Sequence, residues 1–308
     1  MNRSYHLSWT FLITMLWLGT HGPAEAQVDP RPQVKTLTLG AVFQDPGVPV
    51  EPHFQPLANY VARKLSPAGG TKGAVIVAGS AAQMTKLLNE QRVDFYMESP
   101  YPTFLINQLG AATLLLRRWK GGRAEYHSLI VSAKNSGIAR LEDLRGKMIA
   151  FEDPGSTSGY FLPKLFLLRK GFAVVEKPNA AAKIGTGEIG YTFTGSDKNV
   201  IGLVLQKKVA AGALSNDDHA VLDPNSRAAL TILAETESVP RHLVSVRKGL
   251  PDNVVKRVKE ILLSMHEDEE GKKILSQTGD TTKFDTLPGG EEAMRRKLME
   301  LYRPRLKR

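Results

Sequence analysis

Residues 151–171 read F-E-D-P-G-S-T-S-G-Y-F-L-P-K-L-F-L-L-R-K-G and predict a loop between a buried strand and a helix. The run just before them is short, apolar and bounded by turn residues, as buried strands are. Apolar side chains at helical spacing occupy residues 160–170, and Gly171 stands where a C-cap glycine belongs. Pro163 leaves the carbonyl four residues earlier without its helical partner. The segment between strand and helix, 153–159, is small and rich in hydroxyls.

The composition of segment 153–159 is that of an anion site. A helix N-terminus carries unpaired backbone N–H groups and the positive end of the helix dipole. Ser156, Thr157 and Ser158 add hydroxyl donors, and flanking glycines let an oxyanion approach the backbone. Plain N-capping by Ser156 or Ser158 explains the same residues without a ligand. Both interpretations stay open from the residues alone.

A catalytic interpretation of these serines is less well supported. A nucleophile elbow has the pattern G-x-S-x-G, whereas the centre of residues 155–159 is Thr157, and no His and acid are arranged with it. A hydrolase that uses Ser156 or Ser158 remains a third hypothesis.

The stretch resembles the phosphate, phosphite and phosphonate-binding proteins of bacterial ABC importers. D-P-G-S-T-S-G-Y carries the resemblance, and residues 126–131 (Y-H-S-L-I-V), 141–147 (L-E-D-L-R-G-K) and 193–196 (F-T-G-S) match in the same order and spacing. The resemblance implies an α/β fold, the two-lobed type II periplasmic binding protein. Each lobe is then a mostly parallel sheet flanked by helices, with two hinge crossings between the lobes.

The order of local patterns agrees with this fold class. Strand-like runs at 37–42, 74–78 and 93–97 alternate with helical patterns, which indicates α/β with a mostly parallel sheet. By resemblance, the first lobe takes residues 27–125 and 239–308, the latter being a returning segment with C-terminal helices. Lobe two takes residues 126–238.

Residues 1–26 have the pattern of a cleaved secretory signal peptide. Arg3 gives a positive start, an apolar stretch covers 7–18, and Ala24-Glu25-Ala26 is an A-x-A cleavage site. The rival interpretation, a membrane anchor, needs an apolar stretch of about 20 residues. The chain has 0 cysteines, so neither a disulfide nor a lipid-bearing cysteine is available. We therefore expect a periplasmic protein without direct membrane insertion, and a monomer.

The formal net charge of +10 does not indicate a nucleic-acid partner. Basic residues are spread along the chain among acidic ones, and few aromatic residues are placed to stack on bases. A general attraction for anions accounts for the charge. Only residues 295–308 are markedly basic, and Met294, Leu298 and Leu301 predict a docked amphipathic helix there.

Motifs for cofactors, metals and catalysis are not evident in the sequence. Residues 185–190 match G-x-G-x-x-G, but a strand-like run follows them where a dinucleotide site requires a helix. We expect no cofactor, no metal and no enzymatic activity.

The second lobe supplies the first set of candidate ligand-binding residues. By resemblance, the hydroxyl and backbone donors of one loop bind the oxyanion: Ser156, Thr157, Ser158 and Gly159. Further candidates precede or follow predicted elements: Ser196 and Asp197 before a helix, and Ser215 and Asn216 after a strand. The family often has histidine where this chain has Asp197.

The first lobe supplies candidates after its predicted strands: Gln44, Ser80, Tyr96, Glu98, Ser99 and Tyr101. A carboxylate facing an oxyanion repels it, unless Glu98 contacts an amine or a hydroxyl of the ligand. Alternatively, Glu98 points away and pairs with an arginine.

These observations lead to one hypothesis with named alternatives. The chain is interpreted as the periplasmic receptor of an ABC importer, closing two lobes on a phosphonate, phosphite or phosphate and delivering it to the permease. The alternative is a sensory module that presents its bound state to a membrane histidine kinase. A sulfonate ligand is a further alternative.

Overall fold

A computed structural model describes Met1 and residues 34–43, 49–67 and 69–302. The predicted signal peptide (apart from Met1), Gln44 and residues 303–308 lie outside the described residues. All the elements below belong to one compact unit, Pro32–Arg308.

The strands follow the chain in this order: β1 (Thr36–Val42), β2 (Lys72–Ala78), β3 (Phe95–Glu98), β4 (Ala112–Lys120), β5 (Glu125–Tyr126), β6 (Ser128–Ala133), β7 (Met148–Phe151), β8 (Ala173–Glu176), β9 (Glu188–Phe193), β10 (Ala211–Ser215), β11 (Leu230–Glu235), β12 (Val239–Pro240), β13 (Leu243–Arg247) and β14 (Thr281–Thr286).

The helices are α1 (Glu51–Leu65), α2 (Ala81–Asn89), α3 (Pro100–Gln108), α4 (Leu162–Arg169), α5 (Asp197–Leu205), α6 (Asn216–Ala220), α7 (Pro224–Ala228), α8 (Asp252–Ser264), α9 (Glu269–Gln277) and α10 (Gly290–Tyr302). Two 3₁₀ turns, Leu141–Leu144 and Met265–Glu267, and a π-helical turn, Thr157–Phe161, complete the described elements.

The first sheet has the order β14-β4-β13-β3-β1-β2 in the described part of the chain. Strand β1 pairs in parallel with β2 and β3, whereas β13 is antiparallel to β3 and β4, and β14 is antiparallel to β4. The sheet is therefore mixed, which corrects the prediction of a mostly parallel sheet. The prediction missed this because β13 and β14 belong to the returning segment, and a local strand pattern does not reveal its direction.

The second sheet has the order β11-β6-β10-β7-β9-β8 among the described residues. Its β10-β7-β9-β8 side is parallel, and β6 is antiparallel to both β10 and β11. Buried apolar side chains cover both faces, as expected for a sheet with helices packed on it.

The chain crosses between the sheets at β5 and again at β12, and these two short strands pair antiparallel. We call the first sheet with its helices the first lobe, and the second sheet with its helices the second lobe. The exact boundaries between the lobes stay a prediction.

Helix α10 packs beside the crossings. Met294, Leu298 and Leu301 are buried, as the apolar spacing of the tail predicted. They join a cluster that also contains Tyr126, Val239 and Leu162. Leu162 lies in the second lobe, so this cluster contacts both lobes.

The predicted helix after the 153–159 loop is present, with a modified start. A π-helical turn precedes α4, and Ser156 caps it by accepting a hydrogen bond from the Gly159 N–H (2.9 Å). The Gly159 carbonyl, which Pro163 cannot bond, accepts instead from the Glu152 N–H (3.1 Å). Gly171 ends the helix with a φ of 85°, as its position predicted.

Candidate functional site

A cavity of about 570 Å³ lies between the lobes. Its walls come from the loops after β1, β3, β7, β9 and β10 and from the second crossing. Hydroxyl and charged side chains dominate the lining: Glu98, Ser99, Lys120, Tyr126, Glu152, Asp153, Ser156, Thr157, Ser158, Ser196, Asp197, Lys198, Ser215, Asp218, Arg241 and His242. Loops at the carboxyl ends of strands are where open α/β sheets bind ligands.

The 153–159 loop is held by the side chain of Glu152. Ser156 Oγ donates to Glu152 Oε2 (2.7 Å) while it accepts from the Gly159 N–H. A Cβ at Gly159 would lie 2.5 Å from Glu152 Oε2 and 2.9 Å from Ser156 Oγ. Glycine is therefore required at this position, because the Glu152 carboxyl fills the space that a side chain would need.

Thr157 connects the two lobes. Its hydroxyl donates to Ser99 Oγ (2.9 Å) and accepts from the Tyr101 N–H (3.0 Å), and both partners belong to the first lobe. Thr157 is only 2 % exposed. Its hydroxyl is thus used for contact between the lobes.

Ser158 lines the cavity and is anchored through its backbone. Its carbonyl accepts from Ser128 Oγ (2.6 Å), which begins β6. The anchor fixes the loop against the second sheet, and the Ser158 side chain stays on the cavity wall.

The loop that begins α5 forms the adjacent wall. Ser196 caps α5 by accepting from the Asn199 N–H (3.2 Å). Asp197 is the first residue of the helix, and both residues line the cavity. Their role in ligand binding stays a prediction.

The wall after β10 contains Ser215 but not Asn216. Ser215 Oγ donates to Asp218 Oδ2 (2.5 Å) and accepts from the Asp218 N–H, which caps α6. Asn216 Oδ1 accepts from the His127 N–H (3.1 Å) instead of facing the cavity. The structure therefore assigns Asn216 to holding the crossing.

Glu98 faces the cavity with its carboxylate bonded to backbone. It accepts from the Val42 N–H (2.8 Å) and the Ser99 N–H (3.1 Å). Burial raises its pKa to about 7, against the lowering effect of these N–H groups and of the Arg118 charge. The suggested arginine pairing is replaced by backbone donors.

Three first-lobe candidates lie away from the cavity lining. Tyr96 is 0 % exposed, and its hydroxyl donates to Asn107 Oδ1. Tyr101 contributes its N–H, but its ring stacks on Phe161 at 4.0 Å. Ser80 caps α2 by accepting from the Gln83 N–H. Side chains alternate along β3, so Tyr96 and Glu98 belong to the same face of the strand. Only Glu98 lines the cavity, because the Tyr96 ring is buried in the core.

Sequence reasoning missed three basic side chains of the cavity. Lys120 ends β4, and Arg241 and His242 follow β12. Arg241 is 2 % exposed, forms an ion pair with Asp217 and stacks over the Tyr126 ring at 4.2 Å. The sequence offered only a slight signal for Arg241, which is a basic residue directly after Val239-Pro240 at the second crossing.

Burial changes the protonation of these groups. It lowers the pKa of Lys120 and Arg241. It also lowers the pKa of His242 well below its usual value, and the positive charges of Arg118, Arg241 and Lys120 lower that pKa further. His242 is therefore neutral near pH 7.

The described residues offer neither a metal site nor a membrane-spanning helix. They contain no group of three or more His, Asp or Glu side chains placed to hold a metal ion. Nor do they contain a helix that is long and apolar enough to cross a membrane.

The two lobes, the paired crossings and the cavity between the lobes define the chain as a type II periplasmic binding protein in fold. Residues 43–287 match the family described as "ABC transporter, phosphonate, periplasmic substrate-binding protein". The chain belongs to this family of periplasmic phosphonate-binding proteins of ABC transporters, which confirms the resemblance.

Known proteins of similar sequence or fold agree with this assignment. XAC2383 from Xanthomonas citri, solved bound to ATP, is 32 % identical, with a TM-score of 0.79 over 87 % of this chain and 96 % of that one. PhnD1 from Prochlorococcus marinus in complex with methylphosphonate is 17 % identical, with a TM-score of 0.63 over 87 % and 97 %, and supports the fold. The phosphate-import protein PhnD of Mycolicibacterium smegmatis is 26 % identical over 141 residues, 44 % of this chain and 43 % of that protein.

Proposed function

We propose that the protein is the periplasmic receptor of an ABC importer and captures a small phosphorus oxyanion, a phosphonate, phosphite or phosphate, in the cavity between its lobes. The observation that carries this is the convergence of Ser156 and Ser158 from the second lobe with Ser99 and Lys120 from the first on one cavity. Hydroxyl donors and a cation facing each other across a cleft are what an oxyanion requires.

The binding energy in this proposal comes from hydrogen bonds to a charged ligand. Such bonds are roughly twice as strong as neutral ones. Closure follows because the ligand contacts both lobes only when they are together, and a ligand shifts a conformational equilibrium only by binding one state better.

The cellular setting completes the proposal. Residues 1–26 direct export and are cleaved, the mature monomer works in the periplasm, and the closed form docks on the permease. The protein makes and breaks no bond in its ligand and binds neither nucleic acid nor cofactor. The sensory alternative stays an untested prediction.

A phosphorylated organic compound is the second ligand candidate. The relative from Xanthomonas citri was solved with ATP, and the cavity of about 570 Å³ holds more than a bare oxyanion. A nucleotide would place one phosphate against the 153–159 loop, and the rest of the molecule would extend past Lys198.

Titration calorimetry tests the proposal. The mature protein is titrated with methylphosphonate, phosphite, phosphate, ATP, sulfate and methanesulfonate. We expect saturable binding of at least one phosphorus compound and a loss of about tenfold or more in the Ser158→Ala variant. Binding of only the sulfur compounds, or of none, would contradict the ligand class. Export is tested separately by the mass of the protein recovered from the periplasm.

A further inference from the structure

The Glu152 carboxyl accepts the one hydroxyl proton that Ser156 has to offer a ligand. Ser156 has one proton to donate and two lone pairs. In the structure the proton goes to Glu152 Oε2 at 2.7 Å, and one lone pair accepts from the Gly159 N–H. With Glu152 ionised, Ser156 therefore has no proton left for an anion in the cavity.

A neutral Glu152 reverses this hydrogen bond. The distance of 2.7 Å suits an O–H···O bond in either direction. A protonated Glu152 donates to the second lone pair of Ser156 Oγ, and the Ser156 proton is then free to turn toward the cavity. The Gly159 N–H bond is kept in both states.

The surroundings of Glu152 favour its neutral form. Burial, together with the carboxylates of Asp153, Asp197 and Asp218, raises its pKa to about 7, against the lowering effect of the Ser156 hydrogen bond. The other charged groups on the cavity wall are Glu98, Lys120, Lys198 and Arg241. A bound oxyanion adds one more negative charge, which favours protonation again.

We propose that Glu152 is a positioning residue whose protonation frees the Ser156 hydroxyl, so that the protein takes up one proton when it binds its oxyanion. This inference rests on the proposed function, because it concerns the same cavity. It predicts that the receptor binds best in a mildly acidic periplasm and releases its ligand more readily as the pH rises.

The test is the pH dependence of the affinity for methylphosphonate or the best phosphorus ligand from the panel. For the wild type, we expect the dissociation constant to rise by up to about tenfold per pH unit above about pH 7, beyond the effect of the ligand's own titration. Glu152→Gln carries an amide that donates permanently to Ser156, so it should lose less affinity than the wild type at about pH 8.5 and show a smaller slope.

Two further variants separate the mechanism from simple repulsion. Glu98→Gln removes the other buried cavity carboxyl whose pKa lies at about 7 but which does not bond Ser156. The slope that remains in this variant should disappear when Glu152→Gln is added, because Glu152 is its source. When Ser156 is already alanine, adding Glu152→Gln should no longer alter the slope of the dissociation constant against pH. If the slope in Ser156→Ala still depends on Glu152, the carboxyl acts by direct repulsion and the proposal is wrong.

A measurement on the unmodified protein guards against misfolded variants. An infrared difference spectrum at about pH 8 should show a protonated carboxyl C=O band on ligand addition. Binding without this band, or with equal slopes in the wild type and Glu152→Gln, overturns the inference and leaves the proposed function standing. Failure of the wild type to bind any phosphorus oxyanion overturns both.

Discussion

The residues around the 153–159 loop have roles that depend on very close contacts. The Glu152 side chain lies against Gly159, and Ser156 Oγ is hydrogen-bonded to both residues. Small changes at this point are therefore expected to have large effects on binding.

Replacing Gly159 with alanine tests whether the close packing of Glu152 and Ser156 against Gly159 matters. The new Cβ would meet Glu152 and Ser156 oxygen and carbon atoms at 2.5–2.9 Å. We expect a loss of roughly 1–3 kcal/mol in the free energy of unfolding and at least tenfold weaker oxyanion binding. Urea unfolding and calorimetry measure the two effects.

Gly202→Ala is the matched control. Gly202 lies inside α5 with no atom within 4 Å of an added Cβ. Alanine there should be neutral or stabilise by up to about 1 kcal/mol. Equal effects of the two substitutions would show that crowding at Gly159 is unimportant.

The raised pKa of Glu98 predicts how stability changes with pH. Its folded value is about 7 against 4.5 in the unfolded chain, so the folded protein holds more protons between these values. The contribution of Glu98 to stability is complete below about pH 4.5 and is lost as the pH rises to about 7.

Glu98→Gln should therefore reduce the fall in unfolding free energy across this window. The reduction is at most about 1.4 kcal/mol per pH unit. Urea unfolding at several pH values measures it. An unchanged slope would mean that Glu98 does not titrate in this range.

Among the elements, helix α10 contacts both lobes. The Tyr302 ring lies 5.0 Å from Phe161 and 5.7 Å from Tyr101, measured between centroids. Its hydroxyl is buried and has no hydrogen-bond partner among the described residues. The ring therefore stabilises the packing, and the hydroxyl does not.

Two substitutions at Tyr302 separate the contribution of the ring to stability from that of the hydroxyl. Tyr302→Ala should cost about 3–5 kcal/mol of unfolding free energy, because it leaves a cavity in the cluster. Tyr302→Phe should be neutral or slightly stabilising, because it removes an unpaired buried group. A large loss in Tyr302→Phe, seen in urea unfolding, would reveal a partner for the hydroxyl.

The described state of the whole molecule has its lobes in contact through Thr157. The Thr157 hydroxyl bonds Ser99 and the Tyr101 N–H across the cleft. Each bond joins one lobe to the other, so both bonds stabilise the described arrangement without a ligand.

Thr157→Val should shift the unliganded protein toward an open form. It keeps the shape but leaves the Tyr101 N–H unpaired in the closed state, at a cost of about 1–3 kcal/mol. We expect a larger radius of gyration by small-angle scattering and about tenfold weaker ligand binding. Thr157→Ser keeps the hydroxyl and should resemble the wild type. If valine and serine behave alike, the hydroxyl does not favour closure.

The sequence by itself determined the local features of the molecule. The strand before the loop, the Ser156 cap, the Gly171 helix end and the apolar face of α10 were all predictable. Each depends on residues that are close in sequence, where backbone geometry and side-chain spacing act directly. The family resemblance added the two lobes and the two crossings between them, and the structure showed that the crossings pair.

Only the tertiary structure decided which side chains meet in the cavity. It placed Lys120, Glu152 and Arg241 on the cavity wall, and it placed Tyr96 and Asn216 outside the cavity lining. It also made the first sheet mixed. These outcomes depend on packing between segments that are far apart in the chain, and burial there sets both the contacts and the protonation. No local pattern contains that information.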